Sequence, residues 1–391
     1  MRIKILHTAD LHLGRMNFNI RERIIDFSAA AMKIWDVAVH ERVDLVIMAG
    51  DVFDSPEPDP YSAWAFSKLC SDLHRENIQV VAIVGNHDSH KLSEVSGSRC
   101  SWIKSLFPHV ISEVPGDGAF CGVSRITFPG KDPSMALRLV ALDWMPSQKC
   151  RAVLNTVPPD VDVLVMHQSC SGFMPTIAVP EVELESLVGK AKYVAMGDLH
   201  ISKTLHPSPD TMVAYPGSIE MCKADEDADK YVNIVEYDLA ERSVVNVSRQ
   251  RIHCRGITSI TIRTPEDLAE ARESLSEAME ISGLVVFKYE SEMADAVEKL
   301  SEAMRLEGRI ASSHLQSLPK IIATETFSSS KDSADLEMSE ILAERFEKDS
   351  IELSAAVDLW NNPDNSDQIL QQLESQLNED KESKTGELLP A

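Results

Sequence analysis

The sequence predicts an α/β fold with parallel strands, and two observations support this prediction. Short runs of β-branched and apolar residues, each the length of a buried strand, alternate with longer stretches whose apolar residues have helical spacing. Several of the short runs also end at polar side chains, as where Ile78–Val84 is followed by Gly85-Asn86-His87-Asp88. Strands that alternate with helical crossovers lie parallel, so we expect the ends of these runs to meet at one edge of a sheet.

The first 90 residues contain three predicted strands and two predicted helices in alternation. Residues 2–7 alternate between polar and apolar side chains, as a strand buried on one face does. The elements that follow are a helix at 21–42, a strand at Val43–Ala49, a helix at about 61–76 after a proline-rich loop, and the strand at Ile78–Val84.

Beyond residue 109 the pattern changes. Helical spacing fades up to residue 145, and short β-like runs at 119–128 and 137–144 predict a more antiparallel second half. The later elements are a buried strand at Val161–Met166, a short helix at Glu181–Val188, a strand at Tyr193–Met196, and a hairpin of residues 231–238 and 243–252. The hairpin closes a first domain, which we expect to span residues 1–252.

The last third of the chain divides into two further segments. Residues 256–318 show a β-α-β-α-β order with apolar faces of their own, so we predict a small α+β domain at residues 253–322. A serine-rich linker then leads to one or two amphipathic helices with an apolar stripe from Leu336 to Leu359. Residues 325–391 hold 17 Asp or Glu and 5 Lys or Arg, which is half of the net charge of −24. We therefore expect residues 323–391 to form a linker, helices and an acidic tail.

The composition is that of a packed protein outside the secretory pathway. The chain has 391 residues, 43% of them hydrophobic, and its first twenty residues contain no apolar segment of the signal-peptide kind. No apolar run approaches the roughly 18 residues of a membrane span, and the seven cysteines form no CxxC motif. We expect a soluble, cytoplasmic protein, and the net charge of −24 argues against a globally basic nucleic-acid binder.

Five predicted strand ends carry residue types that bind metal ions. The candidates are Asp10, His12, Asp51, Asn86, His87, His167, Asp198 and His200. Oxygen and imidazole ligands without thiolates suit manganese, iron or zinc better than calcium or a structural zinc. Eight candidates exceed the needs of one ion but suit two ions that share a bridging carboxylate, about 3.5–4 Å apart as in two-metal hydrolases.

The motifs around these residues resemble those of the calcineurin-like metallophosphoesterases. The matching motifs are Asp10-x-His12, Gly50-Asp51-x-x-Asp54, Gly85-Asn86-His87-Asp88, His167 and Gly197-x-x-His200. Three longer stretches, residues 7–14, 49–54 and 215–218, resemble the DNA-repair nuclease branch, which includes the bacterial SbcD nucleases and the Mre-eleven nucleases. The resemblance covers roughly residues 1–250. It implies an α/β metallophosphoesterase β-sandwich flanked by helices, with a small capping domain and a helical C-terminal tail.

The resemblance also implies a role for each candidate ligand. The ligand sets are Asp10, His12 and His200 for one ion, and Asn86, His167 and Asp198 for the other. Asp51 would bridge the two ions, and His87 would protonate the leaving oxygen or stabilise the transition state without binding metal. The family usually has histidine at the position of Asp198, so we expect either a working site with an altered metal preference or a weakened second metal.

Other residues near the motifs receive supporting roles. Asp54 and Asp88 are interpreted as turn or supporting carboxylates, and Ser218 as a residue that shapes the backbone or supports the ligands. His7 and His40 are interpreted as structural. Five cations near the site loops are candidates for contact with DNA phosphates, with ordinary surface cations as the alternative: Arg15, Lys91, Arg99, Lys131 and Lys203.

These predictions describe a DNA exonuclease or endonuclease subunit in DNA repair, recombination or replication. It would use two divalent metal ions, foremost Mn²⁺, with Mg²⁺, Fe²⁺ or Zn²⁺ as alternatives. The resemblance implies a coiled-coil ATPase partner of the SbcC type, which would bind at about residues 336–359 unless these helices pack on the capping domain, and a homodimer stays open. Two other functions also stay open: a phosphodiesterase or phosphatase on small substrates, and a weakly catalytic scaffold for the ATPase.

Overall fold

A computed structural model describes residues 1–89, 102–106, 123–174, 180–224, 226, 228–277, 281–307 and 309–318. All of them lie in Met1–Lys320, the first of two units into which the chain divides. The predicted tail of residues 323–391, with its stripe from Leu336 to Leu359, lies outside the described residues, as do Lys91 and Arg99. Among the described helices, none is both long enough and apolar enough to cross a membrane.

The first sheet has five strands. They are β1 (Arg2–Thr8), β2 (Leu45–Ala49), β3 (Gln79–Ile83), β10 (Lys230–Asp238) and β11 (Ser243–Ile252). The order across the sheet is β11-β10-β1-β2-β3. β1, β2 and β3 are parallel, and the β10–β11 hairpin is antiparallel to β1. The predicted parallel strands and the predicted hairpin are both present.

Helices cover the outer face of this sheet. α1 (Glu22–Glu41) joins β1 to β2, α2 (Pro60–Arg75) joins β2 to β3, and a short helix α3 (Trp102–Leu106) follows β3. The side chain of Asp59 caps α2 by accepting hydrogen bonds from the first backbone N–H groups of the helix, and a proline occupies the first turn. Phe66 and Leu69 of α2 pack with Leu6 and Val46 of the sheet in one buried cluster.

The second sheet has six strands. They are β4 (Ser124–Ile126), β5 (Leu137–Ala141), β6 (Val161–His167), β7 (Ala191–Gly197), β8 (Lys203–Ser208) and β9 (Thr211–Tyr215), in the order β4-β5-β6-β7-β9-β8. The four central strands are parallel, and only the edge strands β4 and β8 pair antiparallel. The expectation of a more antiparallel second half is therefore wrong for the interior of this sheet.

The physical reason lies in the crossovers of the second sheet. The connection from β5 to β6 contains only the eight-residue helix α4 (Ser147–Leu154), and the described residues between β6 and β7 contain a single 3₁₀ turn at Leu184–Leu187. Elements this short show too few turns for helical spacing to emerge from the sequence. The helix predicted at Glu181–Val188 corresponds to that turn.

The two sheets pack face to face as a β-sandwich. Ile5 and Ile47 of the first sheet share a buried cluster with Leu139, Val165 and Ala195 of the second. The fold of a β-sandwich flanked by helices is thus confirmed, and it brings the carboxyl ends of the parallel strands of both sheets to the same end of the molecule.

The described residues after 256 form a third, separate sheet. Its parallel strands are β12 (Ile257–Ile262), β13 (Ile281–Tyr289) and β14 (Ile310–Ser317), joined by α5 (Pro265–Glu277) and α6 (Ala294–Leu306). Side chains such as Ile262, Phe287 and Leu300 form a buried cluster of their own. The β-α-β-α-β order is as predicted, whereas domain boundaries at residues 252 and 322 stay a prediction.

A buried group of ion pairs attaches the third sheet to the sandwich. The fully buried Arg23 of α1 lies 2.9 Å from Asp26 Oδ2 through Nη1 and 3.3 Å from Glu220 Oε1 through Nη2. Arg255, just before β12, lies 3.2 Å from the same Asp26 carboxylate, and its backbone N–H donates to Glu220 Oε2 at 3.0 Å. Arg255 also donates to Ser312 Oγ of β14 at 3.2 Å. Two carboxylates thus connect α1, the segment after β9, and the third sheet.

Candidate metal centre

The structure brings all eight candidate residues to one end of the sandwich. Seven of them lie in the loops that follow β1, β2, β3 and β7, and His167 is the last residue of β6. The ring centroid of His12 is 4.9 Å from that of His87 and 5.1 Å from that of His200. His167 Nε2 lies 3.1 Å from Asn86 Oδ1. Side chains from five separate parts of the sequence therefore form a single cluster.

Tight backbone turns place these side chains at the strand ends. Four of the residues have left-handed backbone conformations, with φ of 53° at Asp10, 43° at His12, 49° at Asp51 and 101° at Asp198. Residues other than glycine adopt this region at some cost, and such residues concentrate at functional sites. The backbone N–H of Asp10 donates to the carbonyl of Gly50 at 3.1 Å, and that of His12 to the carbonyl of Asp51 at 3.0 Å. The loops after β1 and β2 thus support each other.

Two glycines are required because other groups approach them closely. A Cβ atom at Gly85 would collide with the backbone nitrogen and the carboxylate of Asp51. A Cβ atom at Gly197 would collide with the carbonyl of Ala49 and with His167 Nδ1. Glycine at these positions lets the loops approach closely enough for the ligand candidates to meet.

The buried carboxylate of Asp88 holds the loops after β2 and β3 together. Its Oδ1 accepts the backbone N–H of Phe53 at 2.7 Å, and its Oδ2 accepts those of Val52 at 3.1 Å and Gly85 at 2.9 Å. These bonds are the geometry of a loop-supporting carboxylate, which is the role that the sequence predicts for Asp88.

One group of donor atoms, the His200 group, consists of Asp10, His12 and His200. The Nε2 atoms of His12 and His200 are 3.1 Å apart, and Asp10, His12 and Asp51 offer ligand atoms within 4.8 Å of one another. His200 Nδ1 lies 2.9 Å from Glu226 Oε1. The carboxylate accepts a hydrogen bond from Nδ1–H, so Nε2 is the nitrogen available to a metal ion.

The other group of donor atoms, the His167 group, consists of Asn86, His167 and Asp198. His167 Nε2 lies 3.1 Å from Asn86 Oδ1 and 4.0 Å from Asp198 Oδ1. His167 Nδ1 donates a hydrogen bond to the carbonyl oxygen of Ala49 at 2.7 Å, so here too Nε2 is the nitrogen that faces the other donor atoms. The backbone N–H of Asp198 donates to Asp10 Oδ1 at 3.1 Å, which joins the two groups.

Asp51 lies between the two groups and directs one oxygen to each. Oδ2 is 3.7 Å from His12 Nε2, and Oδ1 is 3.4 Å from His167 Nε2. The backbone N–H of His87 donates to Oδ1 at 2.9 Å. A carboxylate in this position can bind one metal ion through each oxygen.

The residues present fit two divalent metal ions. Adjacent ligands of an octahedral ion with bonds of about 2.1 Å lie about 3 Å apart, and one donor pair in each group is 3.1 Å apart. Imidazole nitrogens with carboxylate and amide oxygens suit manganese, iron or zinc. Burial lowers the pKa of His167, but the charges of Asp51, Asp10 and Asp198 raise that pKa well above its usual value. The cluster therefore has an excess of negative charge that favours a cation.

A second layer of polar residues orients His200. Glu226 Oε2 accepts hydrogen bonds from Lys230 Nζ at 2.7 Å and from the backbone N–H of Cys222 at 3.0 Å. Lys230 also donates to Ser218 Oγ at 3.0 Å. Burial raises the pKa of Glu226, but its hydrogen bond to His200 and the Lys230 ammonium lower that pKa to about 2. Ser218 therefore touches the supporting layer, as its predicted role requires, whereas sequence analysis did not identify Glu226, Lys230 and Cys222.

Asp54 and Arg15 form another part of this supporting layer. Asp54 Oδ1 lies 3.1 Å from His12 Nδ1 and 2.6 Å from Arg15 Nη1. The backbone carbonyl of Asp54 accepts a hydrogen bond from His87 Nδ1 at 3.0 Å.

Lys203 is at the start of β8 and donates to the carbonyl of Phe173 at 2.8 Å.

Lys131 lies at the opposite end of the sandwich. It is 3.2 Å from Asp44, directly before β2, and donates to the carbonyl of Arg2 at the start of β1. The expectation that Lys131 lies near the site loops is therefore wrong. The segment before β5 returns to the amino ends of β1 and β2, a path that no local pattern in the sequence indicates.

Comparison with known proteins reveals one family and a set of relatives. The calcineurin-like phosphoesterase family matches residues 3–202, just over half of the chain. The DNA double-strand break repair protein Mre11 of Methanosarcina acetivorans is 28% identical over 263 residues, which cover 67% of this chain and 40% of that protein. The protein of the same description from Saccharolobus solfataricus is 25% identical over 232 residues, which cover 57% of this chain and 56% of that protein. The chain thus spans about half the length of these relatives.

Similar solved structures are more remote. A phosphatase from Mycoplasma pneumoniae aligns with 69% of this chain and 97% of its own, at 12% identity and a TM-score of 0.37. Likeness of this degree carries no argument about activity.

Proposed function

The chain belongs to the calcineurin-like phosphoesterase family, and on this premise we propose that it is a cytoplasmic, metal-dependent nuclease that hydrolyses phosphodiester bonds of DNA. The relatives from Methanosarcina and Saccharolobus are DNA double-strand break repair proteins. Their similarity to this chain supports DNA as the substrate and repair as the process, with recombination and replication as related settings.

The position of Asp51 is the observation that carries this proposal. Its two oxygens face the imidazoles of His12 and His167, at 3.7 and 3.4 Å. A single carboxylate between two sets of donors favours two metal ions that act on one phosphate over one ion with spare ligands. We assign Asp10, His12 and His200 to one ion, Asn86, His167 and Asp198 to the other, and Asp51 to both.

The chain's own residues then have separate tasks. Bound divalent cations would lower the pKa of a water molecule at the centre and neutralise charge on the phosphate oxygens. The carbonyl of Ala49 and the carboxylate of Glu226 would hold the Nδ1 protons of His167 and His200, so that each Nε2 is the nitrogen available to a bound metal ion. Asp88 holds the loops in place through three backbone N–H groups.

We assign proton transfer to His87. Its side chain is 40% exposed, whereas that of His12 is 1% exposed and that of His200 is 22% exposed, so a substrate can reach His87 most easily. His87 Nδ1 donates to the Asp54 carbonyl, which leaves Nε2 as the nitrogen that exchanges a proton. In this role His87 protonates the departing 3′-oxygen as the phosphodiester bond breaks.

Asp198 sets the proposed metal preference. A carboxylate oxygen in place of the imidazole usual for the family makes the His167 group richer in oxygen, which favours Mn²⁺ over softer ions. Mg²⁺, Fe²⁺ and Zn²⁺ are the alternative metal ions to test. If Asp198 fails to hold the ion of the His167 group, the chain would be a weakly catalytic scaffold.

A nuclease assay tests the proposal directly. The full chain, freed of metal with EDTA, is incubated with linear duplex and hairpin DNA with and without Mn²⁺, and in parallel with a chromogenic phosphodiester. We expect metal-dependent cleavage of DNA and ester. Cleavage of the ester alone would indicate a small-substrate phosphodiesterase, and cleavage of neither would indicate a scaffold. Binding to DNA by the chain alone should be weak and salt-sensitive, because its net charge of −24 repels phosphate.

We further propose that the segment after the sandwich serves a partner. The domains would be residues 1–252 for catalysis, 253–322 as a cap, and 323–391 as linker, helices and tail, with a coiled-coil ATPase of the SbcC type bound at about residues 336–359. The support is the motif resemblance and the apolar stripe of the sequence. Truncation after Ala323 should abolish co-purification with the ATPase and leave the melting temperature and ester hydrolysis unchanged. A sharp drop in melting temperature with the ATPase still bound would contradict this assignment.

A further inference from the structure

A cleft leads away from the candidate metal centre between the edges of the two sheets. Its first part has a volume of about 510 Å³ and is lined by two candidate metal ligands, Asp198 and His200. A second cavity of about 440 Å³ has two lining residues in common with the first, Ser202 and Arg249. We refer to the two cavities together as the Arg249 cleft. A phosphate bound at the centre would have its chain neighbours at the mouth of this cleft.

Two basic side chains of the cleft, Arg249 and Lys223, carry its binding potential for phosphate. Arg249 is exposed, and its guanidinium carbon lies 4.9 Å from the centre of the Tyr231 ring. Among the residues that the structure describes, neither Arg249 nor the neighbouring Lys223 forms an ion pair with a carboxylate. Lys203 and His206 line the second cavity.

Asp198, Glu226 and Asp229 are the acidic residues among the described lining of the cleft, and the last two are paired with cations. Glu226 pairs with Lys230 and with His200. Asp229 pairs with Arg251 on the rim. Arg249 and Lys223 thus remain as lining cations without a carboxylate partner among the described residues, although the chain as a whole carries a net charge of −24.

The cleft also has apolar lining residues. Met174, Leu199 and Ile201 contribute to the first cavity, and Met212 and Val247 to the second. Cations next to aromatic and apolar surfaces are the combination by which proteins hold single-stranded nucleic acid, with phosphates on the cations and bases against the rings. A cavity of about 510 Å³ is large enough to admit a nucleotide.

We propose that the Arg249 cleft binds a single strand of DNA on one side of the scissile phosphate. Arg249 and Lys223 contact its phosphates, and the stacked pair of Arg249 and Tyr231 supports a base. This inference rests on the proposed nuclease function, and it adds that the strand to be cut is separated from its complement where it enters the cleft.

The test compares two arginine variants of the full chain. Arg249→Ala removes the central cation of the cleft, and Arg305→Ala removes an exposed arginine from α6 as a matched control. Binding of a fluorescent single-stranded oligonucleotide is measured by anisotropy in EDTA, where no cleavage occurs, over a range of salt concentrations. We expect about tenfold weaker binding for Arg249→Ala, and a slope of log Kd against log salt that is smaller by about 0.7, as the loss of one phosphate contact predicts. Arg305→Ala should match the wild type in both.

Hydrolysis in Mn²⁺ separates this inference from the proposed function. For Arg249→Ala the loss of kcat/KM on the single strand should exceed any loss on the chromogenic ester by about tenfold. If the wild type cleaves neither substrate, the nuclease proposal fails, while the binding measured in EDTA still reports on the cleft. If Arg249→Ala behaves like Arg305→Ala, the cleft assignment is wrong even when the nuclease proposal stands. An equal loss of affinity for blunt duplex would overturn the assignment to a single strand.

Discussion

Substitution of Glu226 by alanine tests whether the orientation of His200 determines metal affinity at the candidate centre. Glu226 touches His200, in the His200 group, and has no contact with Asn86, His167 or Asp198 among the described interactions. The substitution removes the acceptor of the His200 Nδ1 proton, so the ring can rotate and its tautomer is no longer determined. The same substitution leaves the Lys230 ammonium, 3% exposed, with Ser218 Oγ as its hydrogen-bond partner.

The size of the effect follows from these contacts. Loss of a partner that orients a metal-binding histidine lowers metal affinity about 10- to 100-fold, which corresponds to about 1.4–2.7 kcal/mol. Removal of one member of a buried ion pair also destabilises the fold, by about 3–5 kcal/mol when the remaining charge is fully buried. The second effect is separable, because Glu226→Ala combined with Lys230→Met removes the remaining charge and should recover stability without recovering metal affinity.

Calorimetric titration of the metal-free full chain with Mn²⁺ provides the assay. Two binding events are expected in the wild type, and in Glu226→Ala the event at the His200 group should weaken while that at the His167 group persists, because His167 is oriented by the backbone carbonyl of Ala49. Glu226→Gln retains an acceptor for the His200 proton and should lie between wild type and Glu226→Ala. Unchanged affinity at both sites in a folded Glu226→Ala, or an equal loss at both, would refute the reasoning.

His87→Ala should abolish DNA cleavage with two ions still bound, because the backbone N–H that donates to Asp51 remains; loss of an ion in metal analysis would contradict the proton-transfer role. Asp198→His should retain or raise Mn²⁺-dependent cleavage and Asp198→Ala should weaken one ion only, so wild-type metal content and activity in Asp198→Ala would show that Asp198 is not a ligand. His7→Gln should make stability less sensitive to acid. Burial lowers the pKa of His7 to about 3, so below about pH 6.5 the unfolded chain binds a proton that the folded chain does not, and stability falls as the pH falls, by about 2 kcal/mol at pH 5. Urea unfolding at pH 7 and pH 5 measures this, and an equal pH dependence in wild type and variant would exclude His7 as its source.

The candidate metal ligands could be located from the sequence because they stand at the carboxyl ends of predicted strands. An apolar run such as Val161–Met166 identifies a buried strand by composition alone, and the next residue, His167, stands at its carboxyl end. In a parallel sheet such ends meet, so residues far apart in sequence are brought together by the topology. This logic needs no knowledge of side-chain packing, and it extends to the loops after all five strands.

The supporting residues could not be located in this way. Glu226 lies in an acidic stretch that has the composition of a solvated loop, and its role depends on His200, 26 positions earlier, and on Lys230. Lys131 shows the reverse error, since its place near the motifs in sequence does not bring it near the centre. Pairing across the fold depends on the path of each connection, which leaves no periodic pattern in the sequence.

The ion pairs that attach the third sheet to the sandwich couple this sheet to the candidate metal centre. Glu220, which binds Arg23 and the backbone of Arg255, and Glu226, which orients His200, belong to the same short segment after β9. A ligand that moves the third sheet through its contacts at Arg255 and Ser312 would also move the segment that contains Glu220 and Glu226. Because Glu226 orients His200, such a ligand would change the affinity of the centre for metal ions. Thermodynamic reciprocity requires that metal binding change the affinity for that ligand by the same factor. Metal ions bound at the candidate centre would thus be effectors of any ligand that binds the third sheet in this way.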